Sequence, residues 1–206
     1  MNELREFLKK ATQIIRMDIN RGTPELSRLR IKTLRRKMGL DEKAEKLAEQ
    51  IAKNEIKKLG EKYIAEKYSA VVKESVTLIS EAESAISSRV LKLAAQSLKN
   101  VEQDNLLRNL SRFEKTQQRY LQTVANTAQS AVRRSQLFVD AEQSDIKKFR
   151  YEGSEGGNIR DFCKSHVGKI YTLSEIKKLD NGQGLSVQYY CGGYNCRHRW
   201  VAVVEE

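Results

Sequence analysis

One proline, Pro24, and three glycines, Gly22, Gly39 and Gly60, are the only strong backbone breakers in the first 152 residues of this 206-residue chain. The other eight of its eleven glycines lie at or beyond Gly153. Glycine and proline are the residues a helix interior tolerates least. The chain is therefore expected to form long helices over most of its length and a short, turn-rich segment at its carboxyl end. Hydrophobic residues make up 39% and charged residues 32%, which suits a soluble chain but is too polar for one large buried core. No apolar run approaches the roughly 18 residues needed to span a bilayer. Residues 1–20 lack a hydrophobic stretch ending in a small-residue cleavage site, so neither a membrane span nor a secretion signal is expected.

The helical part divides at its breakers. Leu4, Phe7, Leu8, Ala11, Ile14 and Ile15 recur at helical spacing and predict a first helix over about 3–18. Thr23-Pro24-Glu25 reads as an N-cap, a proline at the first helical position and an acid at the positive dipole end of a second helix. That helix runs to about Met38, where Gly39 can supply a left-handed terminating residue. Asp41 is expected to cap a third helix. From Ala44 to Val101 apolar residues recur mostly every three or four positions, a helix of roughly sixty residues and about 90 Å, with a kink or break at Gly60 or in the crowded 63–72 stretch. A further helix is expected over 105–146. The two would form an antiparallel hairpin turning near Gln103-Asp104-Asn105, because isolated helices gain too little to stay ordered.

Beyond Phe149 the composition changes. Ser154-Glu155-Gly156-Gly157-Asn158 reads as a connector, followed by a short helix or turn over Arg160–His166 and a strand at Lys169-Ile170-Tyr171. Thr172 or Ser174 would cap a short helix over Leu173–Leu179. Leu185–Tyr190 and Arg199–Val204 read as strands. The expected fold is therefore mainly α: basic N-terminal helices (1–40), a long helical hairpin or coiled-coil-like stalk (41–146) and a small α+β module (147–206).

All three cysteines and both histidines lie in the last forty-four residues: Cys163, His166, Cys191, Cys196 and His198. An odd cysteine count and no expected secretion signal point to a reducing compartment, where clustered thiols more often hold metal than form disulfides. Cys163-x-x-His166 places two ligands on one face of a helical turn, and Cys196-Arg197-His198 places two on one side of an extended backbone. Together they complete the tetrahedral Cys2His2 set of a structural zinc site, with Cys191 as a spare ligand. Asn195 and Arg197 flank the set and are expected to orient it by hydrogen bonding. Tyr194 and Trp200 read as core or docking aromatics. A metal staple suits a module this small, which is near the size below which a core alone is insufficient. Three alternatives stay open: a metal-free module with cysteines as small core residues, a disulfide, and a thiol hydrolase built from Cys163, His198 and Asn195.

Residues 1–40 hold eleven Lys and Arg against four acids, so they carry seven of the net charge of +11. On the second helix Arg28, Lys32, Arg35 and Arg36 form a stripe suited to tracking phosphates, without the interleaved aromatics that base readout needs. A polyanionic partner such as double-stranded DNA, or an acidic protein surface, is expected there.

The tail also resembles a known family. Phe162-Cys163, Gly168-Lys169-Ile170-Tyr171-Thr172, Glu175-Ile176, Asp180-Asn181-Gly182-Gln183-Gly184 and Gly192-Gly193-Tyr194-Asn195-Cys196-Arg197-His198-Arg199-Trp200 are similar to the C-terminal domain of phage minor head proteins, the Mu F-like head-morphogenesis family. Members typically carry a Cys-x-x-Cys-like pair and a later His-Pro-Asn-Cys-Arg-Cys-like segment. Here Asn195-Cys196-Arg197 matches, His198 stands at the second cysteine, His166 replaces the partner of Cys163, and Gly193-Tyr194 replaces His-Pro. The resemblance covers 147–206. It implies a non-enzymatic, low-copy component of the virion, at the capsid interior or portal vertex and in the host cytoplasm during assembly. The implied partners are the portal and major capsid proteins, with packaged DNA and self-association through the long helices as further contacts and no small-molecule substrate. The competing expectation is a nucleic-acid-binding protein that acts through its basic N-terminal helices.

Overall fold

The computed structural model describes residues 2–58, 60, 67–98 and 103–204. Five helices come first: α1 (Asn2–Asn20), α2 (Ser27–Met38), α3 (Leu40–Lys58), α4 (Ser69–Gln96) and α5 (Gln103–Gln143). A small module follows, with β1 (Lys148–Glu152), α6 (Asp161–His166), β2 (Ile170–Thr172), α7 (Leu173–Ile176), α8 (Val187–Tyr190) and β3 (Arg199–Val203). The protein is thus mainly α with a small C-terminal α+β module. Among the described residues no helix is long and apolar enough to cross a membrane.

The expected sixty-residue helix is two helices, α3 and α4, and Gly60 between them has a φ of +82°. That is the left-handed region glycine enters at no steric cost. Gly39 likewise ends α2 at φ 57°, its N–H bonded to the Arg36 carbonyl. Thr23 makes no side-chain cap, and Pro24–Leu26 form a 3₁₀ turn instead. α3 begins at Leu40, one residue before Asp41, so Asp41 lies inside the helix. Gln103-Asp104-Asn105, expected as the hairpin turn, are instead the first residues of α5, and residues 99–102 before them lie outside the described residues.

The chain divides into two compact units, Met1–Leu47 with Val76–Ala125, and Ala48–Ser75 with Asn126–Glu206. In the first unit the apolar faces of α1 and α2 meet parts of α4 and α5, with Phe7, Leu8, Ile15, Ile86, Val90 and Leu121 essentially removed from solvent. There α4 and α5 run antiparallel: Gln103 Nε2 donates to the Ser97 carbonyl at 2.9 Å, and Arg89 reaches Gln117 at 2.8 Å. Buried carboxylates tie the helices together. Asp18 accepts from Ser27 Oγ at 3.0 Å and also pairs with Arg30. Glu83, 2% exposed, takes both ends of the Arg35 fork at 3.0 and 3.1 Å and Ser87 Oγ at 2.7 Å. Arg35 therefore leaves the expected phosphate-tracking stripe. A guanidinium on the flank of α2 that faces α4 gains more from a buried carboxylate than from water. Arg28, Lys32 and Arg36 remain exposed.

In the second unit α5 contributes Phe138 and Ala141 to the core of the module. The sheet is antiparallel in the order β2-β1-β3, with Phe149 opposite Ala202 and Tyr151 opposite Trp200. Its central strand, β1, is the one the sequence did not suggest. Phe149 and Tyr151 alternate inward between exposed Lys148 and Arg150, a period too short to stand out. Leu185–Tyr190, expected as a strand, contains the helical turn α8 instead, in which Val187, Gln188 and Tyr190 are all buried. Thr172 caps α7 in a full capping box with Glu175.

Two outcomes test this account. Arg35→Met strands a buried carboxylate and should cost about 2–3 kcal/mol, whereas Arg28→Met should stay within about 0.5 kcal/mol, both read by denaturant unfolding. Glu74, in the second unit, is pushed up by burial from 4.5 to about 7. The folded state then holds that proton more tightly than the unfolded chain, so the stability it contributes is full below pH 4.5 and is lost as pH rises through about 7. Glu74→Gln should therefore stabilise the protein above that pH, by roughly 1–2 kcal/mol after discounting for partial exposure. It should do little in acid.

Candidate metal centre

Three turns deliver the cluster. Cys163 sits in the first turn of α6, its side chain toward the core. Cys196 follows a tight turn in which its N–H bonds the Gly193 carbonyl at 3.1 Å and Asn195 takes a φ of 52°. His198 immediately precedes β3. The ligand atoms of Cys163, Cys196 and His198 all lie within 4.8 Å of one another and could hold a metal ion. The two sulfurs are 3.7 Å apart, and Cys196 Sγ is 3.6 Å from His198 Nδ1. The three residues are 2%, 7% and 3% exposed.

The surroundings orient these atoms. His198 Nε2 lies 3.0 Å from the Ser154 carbonyl. A carbonyl only accepts, so Nε2 carries the proton and Nδ1 presents its lone pair to the sulfurs. The Gly192 N–H donates to Cys196 Sγ at 3.3 Å. Tyr151, fully buried, places its hydroxyl 3.5 Å from Cys163 Sγ and 3.7 Å from Cys196 Sγ, while its ring stacks parallel to His198. The loop carrying Cys191–Asn195 is held from outside. Asn181 Nδ2 donates to the Cys191 carbonyl at 2.9 Å, and the Gln183 side chain spans Gly192 and Tyr194 at 3.2 and 3.0 Å. Arg134 of α5 donates to the Cys196 carbonyl, and Thr127 Oγ1 accepts from the Asn195 N–H at 3.1 Å.

Of the four expected ligands, three converge and His166 does not. Its Nδ1 lies 2.6 Å from the Phe162 carbonyl and its ring stacks on Phe162 at 4.1 Å. At the end of a six-residue helix the imidazole folds back on its own turn, and Tyr151 takes the place beside the sulfurs that the expected set gave to His166. Cys191 is also outside the group. Burial pushes its thiol up to about 12, and the residue adopts a φ of 53°. Asn195 and Arg197 line a cavity beside the cluster, while the hydrogen bonds to ligand atoms come from Tyr151, Gly192 and Ser154. The Gly192-Gly193 pair just before Cys196 was the available pointer to a backbone that must approach sulfur closely. Tyr151 and Ser154 left no such mark.

Burial and the neighbouring Cys196 sulfur raise the Cys163 thiol above its ordinary value, although a hydrogen bond from Tyr151 opposes them. A bound dication would reverse that sign, because a coordinating thiol is deprotonated outright. Comparisons with known protein families, with curated proteins and with solved structures find no match for this chain.

The closeness of backbone to ligands gives a direct test. A Cβ on Gly192 would lie 2.3 Å from Cys163 Sγ and 3.2 Å from Cys196 Sγ, whereas one on Gly156 would meet nothing within 4 Å. Gly192→Ala should cost about 2–3 kcal/mol through overpacking and Gly156→Ala less than about 0.5 kcal/mol, measured by thermal unfolding.

Proposed function

We propose that the chain is a non-enzymatic structural component of a phage or prophage head, a minor head protein of the Mu F-like type, whose C-terminal module is clamped by a zinc ion on Cys163, Cys196 and His198. The convergence of these three side chains carries the reading. Cys163 is 33 residues from Cys196 in sequence, the three residues belong to two of the segments in which the tail resembles that family, and their ligand atoms lie within 4.8 Å of one another. A tetrahedral zinc with Zn–S near 2.3 Å and Zn–N near 2.0–2.1 Å has S–S edges of about 3.8 Å and S–N edges of about 3.6 Å. The observed 3.7 and 3.6 Å fit two of those edges, and the third, between Cys163 Sγ and His198, lies within 4.8 Å. The donor set also fits, since two thiolates and an imidazole fixed by a carbonyl are the ligands zinc prefers.

Fixing the module is what such an ion would supply. The chain's own residues do the rest: Tyr151 and the Gly192 N–H donate toward the sulfurs, and Ser154 holds the histidine tautomer. A thiol hydrolase would need Cys163 lowered in pKa and paired with a base, yet burial raises it and His198 is turned to Cys196. The module would then serve as a rigid docking piece for the portal and major capsid proteins. The second reading, nucleic-acid binding, is favoured by the exposure of Arg28, Lys32 and Arg36 on α2. Without Arg35 this patch is smaller than the sequence suggested.

Protein purified without chelator should contain about one zinc per chain, lost in Cys196→Ser, and chelation should lower the thermal midpoint of the module. Co-expressed with the portal and major capsid proteins of its own genome, the chain should enter procapsids, and a Cys163→Ser, Cys196→Ser double variant should be left out. Zinc-free protein would sink the clamp. Exclusion of the native chain from procapsids, together with salt-steep binding to free DNA, would transfer the assignment to the second reading.

A further inference from the structure

Cys163, Cys196 and His198 form one side of a cavity of about 620 Å³. Its other walls carry Ser154, Asn158, Arg160, Asn195 and Arg197, with the Gly156-Gly157 backbone at the rim. Among the described residues lining it there is no carboxylate and no imidazole other than His198. Tyr151, the remaining group in contact with both sulfurs, is fully buried and lies outside the cavity wall. The cluster is thus enclosed on the side of Tyr151 and borders the cavity on another.

Three protein ligands leave a tetrahedral ion one position short. Two thiolates and a neutral imidazole cancel the charge of a dication, so any pull on an incoming anion comes from the walls. Those walls supply it. The Arg160 guanidinium donates to the Tyr194 carbonyl at 2.6 Å and lines the same cavity as Cys163. Arg197 lies between two of the ligands in sequence, on the same wall. Guanidinium groups present several N–H donors in a fork that matches the oxygens of phosphate and carboxylate.

We propose that this cavity admits a small oxyanion to the fourth position of a metal held by Cys163, Cys196 and His198, with Arg160 and Arg197 as its counter-charges. The proposal rests on the metal reading above and adds an exchangeable ligand to it. The site binds without turnover, because no residue on the cavity wall is placed to act as a general base. An anion seated there joins the Gly156–Arg160 segment to the turn that carries Cys196.

The test uses the full chain loaded with cobalt(II), whose visible absorption reports the coordination of the ion. Inorganic phosphate is titrated in one arm and acetate in another. Phosphate is expected to change the cobalt spectrum saturably and acetate to do so more weakly. Arg197→Gln, on an exposed position that leaves the ligands in place, should weaken phosphate binding roughly tenfold. Stoichiometric cobalt with a tetrahedral spectrum that ignores both anions would mean that a protein group fills the fourth position. That result overturns the oxyanion site and leaves the metal reading intact. A phosphate response unchanged in Arg197→Gln overturns the counter-charge role. Failure of a folded chain to take up cobalt at all overturns both readings.

Discussion

The hydroxyl of Tyr151 stands between two sulfurs, 3.5 Å from one and 3.7 Å from the other, at the centre of the C-terminal module. Much of that module is arranged around this side chain. The alternation of β1 sends Phe149 and Tyr151 to the same face, so the strand that supplies the core aromatics also supplies the hydroxyl that meets both sulfurs. His198 stacks on the Tyr151 ring, Trp200 meets it from the paired strand, and Phe162 and His166 approach it edge-on from α6. The three side chains form a cluster that could hold a metal ion, and a Cβ at position 153 or 192 would run into its ligand residues.

The helices follow a different economy of charge. Asp18, Glu83 and Glu55 are buried, and each meets an arginine: Arg30, Arg35 and Arg133 respectively. At Glu55 the cost of burial is outweighed by hydrogen bonds from Lys58 and Arg133, and the carboxyl stays below its ordinary range. Such pairs hold some of the chain's arginines against internal carboxylates. The net charge of +11 already counts those carboxylates and is unchanged by the pairing; what the pairs decide is which cations are left for an outside partner, and the loss of Arg35 from the α2 stripe is one instance. A carboxylate removed from water needs its partners close, and the arginines reach it because their long stems cross the gap between helices.

Much of the helical part was legible. The breakers at Gly22, Gly39 and Gly60 all mark real interruptions, and the apolar stripes of α1, α4 and α5 are the faces that are buried. The misreadings are local. Thr23 has the chemistry of a cap without serving as one, because Asp18 organises that junction, and α3 starts at Leu40, so Asp41 falls inside the helix rather than before it. Leu185–Tyr190 carries strand-forming residues but turns as a helix, with Val187, Gln188 and Tyr190 all packed inward. β1 escaped notice because five alternating residues beside a glycine-rich connector carry little periodic signal. At the site, Cys163, Cys196 and His198 were legible from their type and clustering. Tyr151 was not, since a buried tyrosine next to sulfur looks in sequence like any other core aromatic.

By itself the sequence determined that this chain is mainly helical, that a compact α+β module closes it, and that the sulfur and imidazole groups reside in that module. These follow from residue type and spacing, which act over a few neighbours along the chain. Only the tertiary structure decided which groups meet. It turned His166 back onto Phe162, brought Tyr151 to the sulfurs, drew Arg35 onto Glu83 and set a cationic cavity against the cluster. Each of those outcomes is a competition between a local partner and a distant one, and the distant partner's position is fixed by packing rather than by sequence proximity.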